Sequence, residues 1–116
     1  MAGALERLKV VDLSSHLSGP YCAMLLADQG ADVIKVEKPG GDEARGMPPF
    51  MRGESAPFMI WNRNKRSVVI GLKSAAGMAR LLALIDGADV LIENFRPGTL
   101  DRRGLGWPSP KSATRA

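Results

Sequence analysis

The tetrapeptide Gly-Ala-Asp-Val occurs twice in the chain, at residues 30–33 and 87–90. Each copy follows a helix-forming stretch and opens an apolar run. Each run ends in an acid, Glu37 or Glu93, just before a loop rich in Gly or Pro. Two such joints read as two helix-to-strand connections of one parallel sheet. In open sheets of that kind, ligands gather beyond the carboxyl ends of the strands. The loops at 38–53 and 94–98 are therefore the ones expected to carry function.

The remaining elements fit this frame. Residues 9–13 (KVVDL) form a short β-branched run and read as the first strand. Residues 14–20 read as a loop, and residues 21–29 as a helix, with Pro20 at its first position and Gly30 in the left-handed conformation past its end. Residues 33–37 are the second strand. Residues 39–53 hold four glycines and three prolines and read as a long irregular loop. A helical turn is expected at 56–61 and a third strand at 68–72. Ser74 is placed to cap a helix over 75–85, in which Met78, Leu81, Leu82 and Ile85 recur at helical spacing. Residues 90–93 are the fourth strand, closing a second βαβ unit. Asp32 and Asp89 are expected as caps or turn formers. Residues 99–105 are expected to begin a helix, and 108–116 to form an irregular tail. The fold class is α/β: a doubly wound, mostly parallel, Rossmann-like sheet, incomplete as it stands.

Composition narrows the function classes. With 45% hydrophobic and 24% charged residues the chain is ordinary for a globular domain, and 116 residues leave room for one. No stretch approaches the roughly 20 apolar residues that cross a bilayer, and residues 1–10 lack a secretory apolar region. The single cysteine, Cys22, excludes an internal disulfide and argues against structural zinc. The expectation is a soluble, cytoplasmic protein with no membrane partner and no metal. The net charge of +4 resides in residues 94–116, where Arg96, Arg102, Arg103, Lys111 and Arg115 face one acid, Asp101. Such a segment suits an anionic ligand or a solvated tail.

No glycine-rich phosphate turn follows the first strand, which argues against a dinucleotide site even though Glu37 ends the second strand where a ribose hydroxyl would be held. His16 is a loop residue without a visible partner, Cys22 reads as a small core residue, and Ser14, Ser15 and Ser18 have no acid–base pair beside them in sequence. Residues 62–67 (NRNKRS) could track phosphates or form a solvated turn, but carry no recognisable nucleic-acid module. The strand ends say more. Lys38 follows the second strand, Lys73 the third, and Asn94, Phe95 and Arg96 the fourth, with Arg102 beyond. A flat aromatic face and several cations on one rim suit a long anionic ligand with phosphates and an adenine. Cations also flank the strands of any water-exposed sheet.

Taken in order, residues 11–13 (VDL), 18–22 (SGPYC), 25–42, Arg45-Gly46, 62–67, 72–74 and 88–98, with 100–102 and 104–106, resemble the opening of a family III CoA-transferase. That family includes formyl-CoA transferase, carnitine CoA-transferase and α-methylacyl-CoA racemase. The resemblance spans residues 5–107. It implies that residues 1–107 are the N-terminal part of a CoA-binding large domain. It places Lys38 on the CoA phosphates, and Ile70, Gly71, Leu72 and Lys73 with Asn94, Phe95 and Arg96 around the nucleotide, Arg102 nearby. Leu17 and Ser18 align with a loop that approaches the thioester; His16 is not carried over, and Arg103 stands where the family often has an apolar residue.

The implied activity moves CoA between an acyl-CoA thioester and a small carboxylic acid, with coenzyme A as substrate and no permanently bound cofactor. Racemisation of a 2-methylacyl-CoA and a non-catalytic nucleotide-binding fragment remain open alternatives. Family transfer uses an aspartate nucleophile from a region downstream of the matched residues. The resemblance therefore assigns no catalytic residue within this chain and implies that the isolated chain is inactive. Family members form interlocked homodimers, and no nucleic-acid partner is implied.

Overall fold

The computed structural model describes residues 3–102, the side chain of Asp101 excepted. The expected tail at 108–116, and Arg103 and Trp107 before it, lie outside the described residues. In chain order the elements are β1 (Lys9–Asp12), α1 (Ser18–Asp28), β2 (Asp32–Glu37), a 3-10 turn (Glu43–Gly46), β3 (Phe50–Met51), β4 (Glu54–Ser55), α2 (Ala56–Trp61), β5 (Arg66–Val69), α3 (Ala75–Asp86), β6 (Val90–Ile92) and α4 (Thr99–Arg102).

Four strands pair in parallel in the order β5-β2-β1-β6. The second Gly-Ala-Asp-Val copy therefore feeds a strand on the far side of β1. The connection β5-α3-β6 runs from one edge of the sheet to the other and does not close a unit of adjacent strands as expected. The order reverses between β1 and β6, which is where an open sheet leaves a crevice at its carboxyl edge.

Side chains alternate across a strand, so β1 and β2 dictate the layers. Val11, Leu13 and Val36 face one side and pack with Ile70, Leu81 and Ile85 under α3. Val10 and Val33 face the other and pack with Ala23, Ala27 and Ala31 under α1. Helices thus cover both faces, and the doubly wound α/β fold is established. The α1 face changes character along the strands: its apolar half gives way to Asp12, Lys35 and Glu37, all buried.

Several local expectations need correction. The α1 helix starts at Ser18, three residues before the expected start, so Pro20 is its third residue. There its missing N–H is still one of the four that have no intrahelical partner. Gly30 follows the helix at φ +102°, as expected. The 39–53 segment is not irregular: Asp42 caps the 3-10 turn through Ala44 N–H, and β3 pairs with β4 around Arg52-Gly53. The third main strand is Arg66–Val69, two residues earlier than expected. Ile70 to Lys73 belong to the loop after it, where Ser74 accepts Gly77 N–H and caps α3. A Cβ at Gly77 would collide with the Gly71 carbonyl, so this glycine lets α3 sit directly on that loop. Asp89 accepts the Lys9 N–H, while Asp32 pairs with Arg66 rather than capping anything.

Candidate functional site

At the carboxyl edge of the sheet lies a cleft of about 590 Å³, within the range of about 300–1,000 Å³ typical of small-molecule sites. Every main strand contributes to it. Leu13, Ser14 and Ser15 follow β1; Lys38 and Pro39 follow β2; Ile70, Gly71, Leu72 and Lys73 follow β5; Phe95 and Thr99 follow β6. Six of the residues expected from sequence are thus brought together: Lys38, Ile70, Gly71, Leu72, Lys73 and Phe95. Ile70 is buried and forms the apolar floor, while Lys38 and Lys73 are exposed. The Phe95 ring packs on the α3-side core, and its N–H is held by Glu93 Oε2 at 2.9 Å, which fixes an aromatic wall.

The other five stand around the cleft without lining it. Asn94 turns its amide onto the neighbouring loop: its Oδ1 accepts Ser15 N–H at 3.0 Å and its Nδ2 donates to the Ser15 carbonyl at 2.7 Å. It clamps the loop after β1 to the loop after β6. Arg102 donates to Thr99 Oγ1 at 3.3 Å and so stands at the rim. Arg96 is exposed, outside the lining. Leu17 is the N-terminal boundary residue of α1 and Ser18 its first residue. Both are exposed, and this helix end has no side-chain cap and no acid in its first turn. Its uncapped N–H groups carry the positive end of the helix dipole.

Beneath the loop after β1 lies a layer of buried ion pairs. Lys65 Nζ reaches Asp12 Oδ2 at 2.8 Å, Asn62 Oδ1 at 2.7 Å and the Pro20 carbonyl at 3.0 Å. Burial pushes the Lys65 ammonium below its ordinary value, against the pull of Asp12. Asp12 in turn accepts Ser14 N–H at 2.9 Å and the Ser14 hydroxyl. Lys35 Nζ pairs with Asp42 Oδ2 at 2.8 Å and donates to the Ser14 carbonyl at 3.1 Å. Burial raises the Asp42 carboxyl, but Lys35 and the Ala44 N–H outweigh it and the net shift is downward. Glu37 receives both forks of Arg45 at 2.7 Å, the Asp42 N–H at 2.8 Å and the Ser67 hydroxyl. The Arg45 contact, with the others, holds its carboxyl down at about 2. Arg45 also lies 4.0 Å over the Phe58 ring of α2. Glu37 therefore spends its oxygens inside the protein and has none to offer a ribose.

Three sequence readings need correction. Lys65 is neither a phosphate contact nor solvated, and Arg63 and Arg66 are paired with Asp28 and Asp32. Cys22 is exposed rather than part of the core. His16 has partners: Ser15 Oγ lies 3.2 Å from Nδ1 and Glu43 Oε2 lies 3.1 Å from Nε2. No local signal could have found Glu43, which arrives from a distant loop. The sequence feature that could have indicated that loop's approach is the run Gly40-Gly41-Asp42, whose two glycines take φ +93° and +89° and turn Asp42 under the sheet edge.

Comparison with known proteins places this geometry. The sequence model of CoA-transferase family III matches residues 5–114. A succinyl-CoA:mesaconate CoA-transferase of Haloarcula marismortui is 46% identical over 110 residues, spanning 90% of this chain and 28% of that protein. A formyl-CoA:oxalate CoA-transferase of Afipia carboxidovorans is 47% identical over 109 residues, spanning 92% and 26%. The crystal structure of a CAIB/BAIF family protein from Brucella suis superposes with a TM-score of 0.90 at 40% identity, covering 99% of this chain and 32% of that one. The chain spans 28% of the Haloarcula protein's length and 26% of the Afipia protein's. With the family match running through almost all of its residues and the fold shared with solved relatives, this chain belongs to CoA-transferase family III.

Proposed function

We propose that residues 1–107 are the N-terminal part of a CoA-binding large domain. The whole protein would move CoA between an acyl-CoA thioester and a small carboxylic acid. The observation that carries this reading is the cleft, where Lys38, Lys73 and Phe95 meet above an apolar floor. Two ammonium groups suit phosphates, an aromatic wall suits adenine, and Ile70 and Leu72 suit an aliphatic arm. Arg102 at the rim supports a further phosphate contact. Leu17 and Ser18, at the uncapped start of α1, would face the thioester end, where free N–H groups favour a partly negative carbonyl oxygen. The relatives named above are transferases, which favours transfer over racemisation. By the family resemblance the nucleophilic aspartate comes from a region downstream of the matched residues, so these 116 residues alone are proposed to bind without transferring.

Titration calorimetry with CoA tests the reading. The chain should bind CoA saturably. Lys38→Ala and Lys73→Ala should each raise Kd by roughly three- to tenfold, as expected for a lost charged hydrogen bond at a partly open site. Unchanged affinity in the Lys38→Ala/Lys73→Ala double variant would place the ligand elsewhere.

A further inference from the structure

Lys38, the cation assigned above to the ligand's phosphates, already holds an anion. Its Nζ lies 2.8 Å from Glu43 Oε1, and the other carboxylate oxygen lies 3.1 Å from His16 Nε2. Glu43 bridges the two with separate oxygens. Glu43, Lys38 and Ser15 all line the cleft, so the bridge stands in its mouth rather than behind it. The His16 ring is held on its other side by Ser15, and its backbone sits at φ +67°. A residue with a Cβ is uncommon there and stays only where the surroundings fix it. The hydrogen bond from Lys38, more than any other contact, holds the Glu43 carboxyl below its ordinary value.

We propose that Glu43 is a built-in stand-in for a ligand phosphate. It occupies Lys38 in the free protein and retreats onto His16 when a phosphate ester arrives, thereby tempering the cleft's affinity for phosphorylated ligands while leaving its affinity for unphosphorylated arms unchanged. The inference rests on the reading that Lys38 meets the CoA phosphates. Its physical basis is competition at one ammonium group. A phosphate ester brings more charge and more acceptor oxygens than a carboxylate and displaces it. A ligand arm without phosphate gains nothing from Lys38 and leaves the bridge intact. His16 matters because it gives the displaced carboxylate a second partner only 3.1 Å away, so Glu43 need not return to bulk water.

The Lys38 and Glu43 side chains are 58% and 61% exposed, so the bridge is a weak one. Its removal should tighten phosphate binding by about two- to fivefold. Titration calorimetry on the 116-residue chain with CoA and with pantetheine is the test. Glu43→Gln keeps the shape and removes the charge. It should tighten CoA binding by that factor, less so at high salt, and leave pantetheine binding unchanged. In a Lys38→Ala background the same substitution should have no effect on CoA. Equal tightening in that background would mean that Glu43 merely repels the ligand through space, and would overturn the proposal. So would an unchanged CoA affinity in Glu43→Gln while Lys38→Ala still weakens binding, an outcome that leaves the CoA-binding reading standing. Absent CoA binding, or CoA affinity indifferent to Lys38→Ala, would overturn both.

Discussion

The two faces of the sheet solve the same problem with opposite chemistry. Under α3 the buried part of the face is apolar, with Val11, Leu13, Val36 and Ile70 packed against Leu81 and Ile85 of the helix. Under α1 and α2 it is apolar only beneath Ala23 and Ala27, and then becomes a buried ionic layer built on Asp12, Lys35, Glu37 and Lys65. The difference follows the direction of the strands. The ionic half lies at the carboxyl edge, and two of its members, Asp12 and Lys35, hydrogen-bond Ser14 in the loop at the cleft. Apolar contacts are non-directional and hold layers together. Charged hydrogen bonds are directional, so they can fix a particular backbone atom in place. The comparison teaches that this molecule uses one face for cohesion and part of the other for aim.

The largest expected effect breaks that comparison at Lys65. Its side chain is 1% exposed, and that of Asp12 is not exposed at all. Lys65→Met leaves a buried carboxylate unpaired, which costs about 3–5 kcal/mol in urea unfolding. Adding Asp12→Leu removes the orphaned charge and should restore most of that loss, because a buried pair replaced by apolar groups is often neutral or better. If the layer exists for aim, CoA affinity should stay low in the restored protein, since Ser14 has lost its Asp12 anchor and keeps only the bond from Lys35. Recovery of both stability and affinity would show the ionic layer to be a packing device like the other face.

A middle-sized effect sharpens the comparison through pH. Folding depresses the Glu37 carboxyl from 4.5 to about 2, with Arg45 the main cause. A depressed carboxylate contributes stability that is fully present above its unfolded value and is lost as pH falls through the folded one. The window is therefore between about 4.5 and 2. The contribution is about 2 kcal/mol, less than the full shift implies, because Arg45 is 43% exposed and water screens the pair. Glu37→Gln should lower the urea midpoint at neutral pH, and the gap from the parent chain should close as pH drops toward 2. A gap that stays constant across that range would mean that shape rather than charge holds the layer.

How much of this the sequence disclosed depends on the range of the interactions. Helix α3 and its cap were legible because Ser74 and the Met78-Leu81-Leu82-Ile85 spacing are local signals. The cleft was legible because Lys38, Lys73 and Phe95 follow strand ends, and a parallel sheet brings such ends to one edge. The start of β5 was missed because Arg66 and Ser67 look like loop residues. They are strand residues because Asp32 and Glu37 on the neighbouring strand take their polar ends. Cys22 was misjudged because α1 is apolar nearly all round: Leu17, Tyr21 and Leu25 are exposed too, so composition could not say which side faces the sheet. The ionic layer was invisible for a simpler reason. Lys65 and Asp12 lie 53 positions apart, and a lysine in a basic polar run gives no hint that it is buried.

The smallest expected effect is a control on the whole comparison. Arg63 meets Asp28 with a fork, as Arg45 meets Glu37, with Nη2 to Oδ2 at 2.6 Å and Nε to the two carboxylate oxygens at 3.2 and 3.1 Å. The Arg63 hydrogen bond likewise holds the Asp28 carboxyl below its usual value. Both pairs are bidentate and of the same charge, and the largest difference between them is water: the Asp28 side chain is 25% exposed and that of Glu37 is 2%. Arg63 and Asp28 stand on the outside, where both ions keep their hydration when the contact is broken and salt weakens what attraction remains. Arg63→Ala should leave the urea midpoint unchanged within error. A loss approaching that of Lys65→Met would mean that fork geometry alone carries the energy, and the distinction between a buried layer that aims the loop and a surface pair that does not would fail with it.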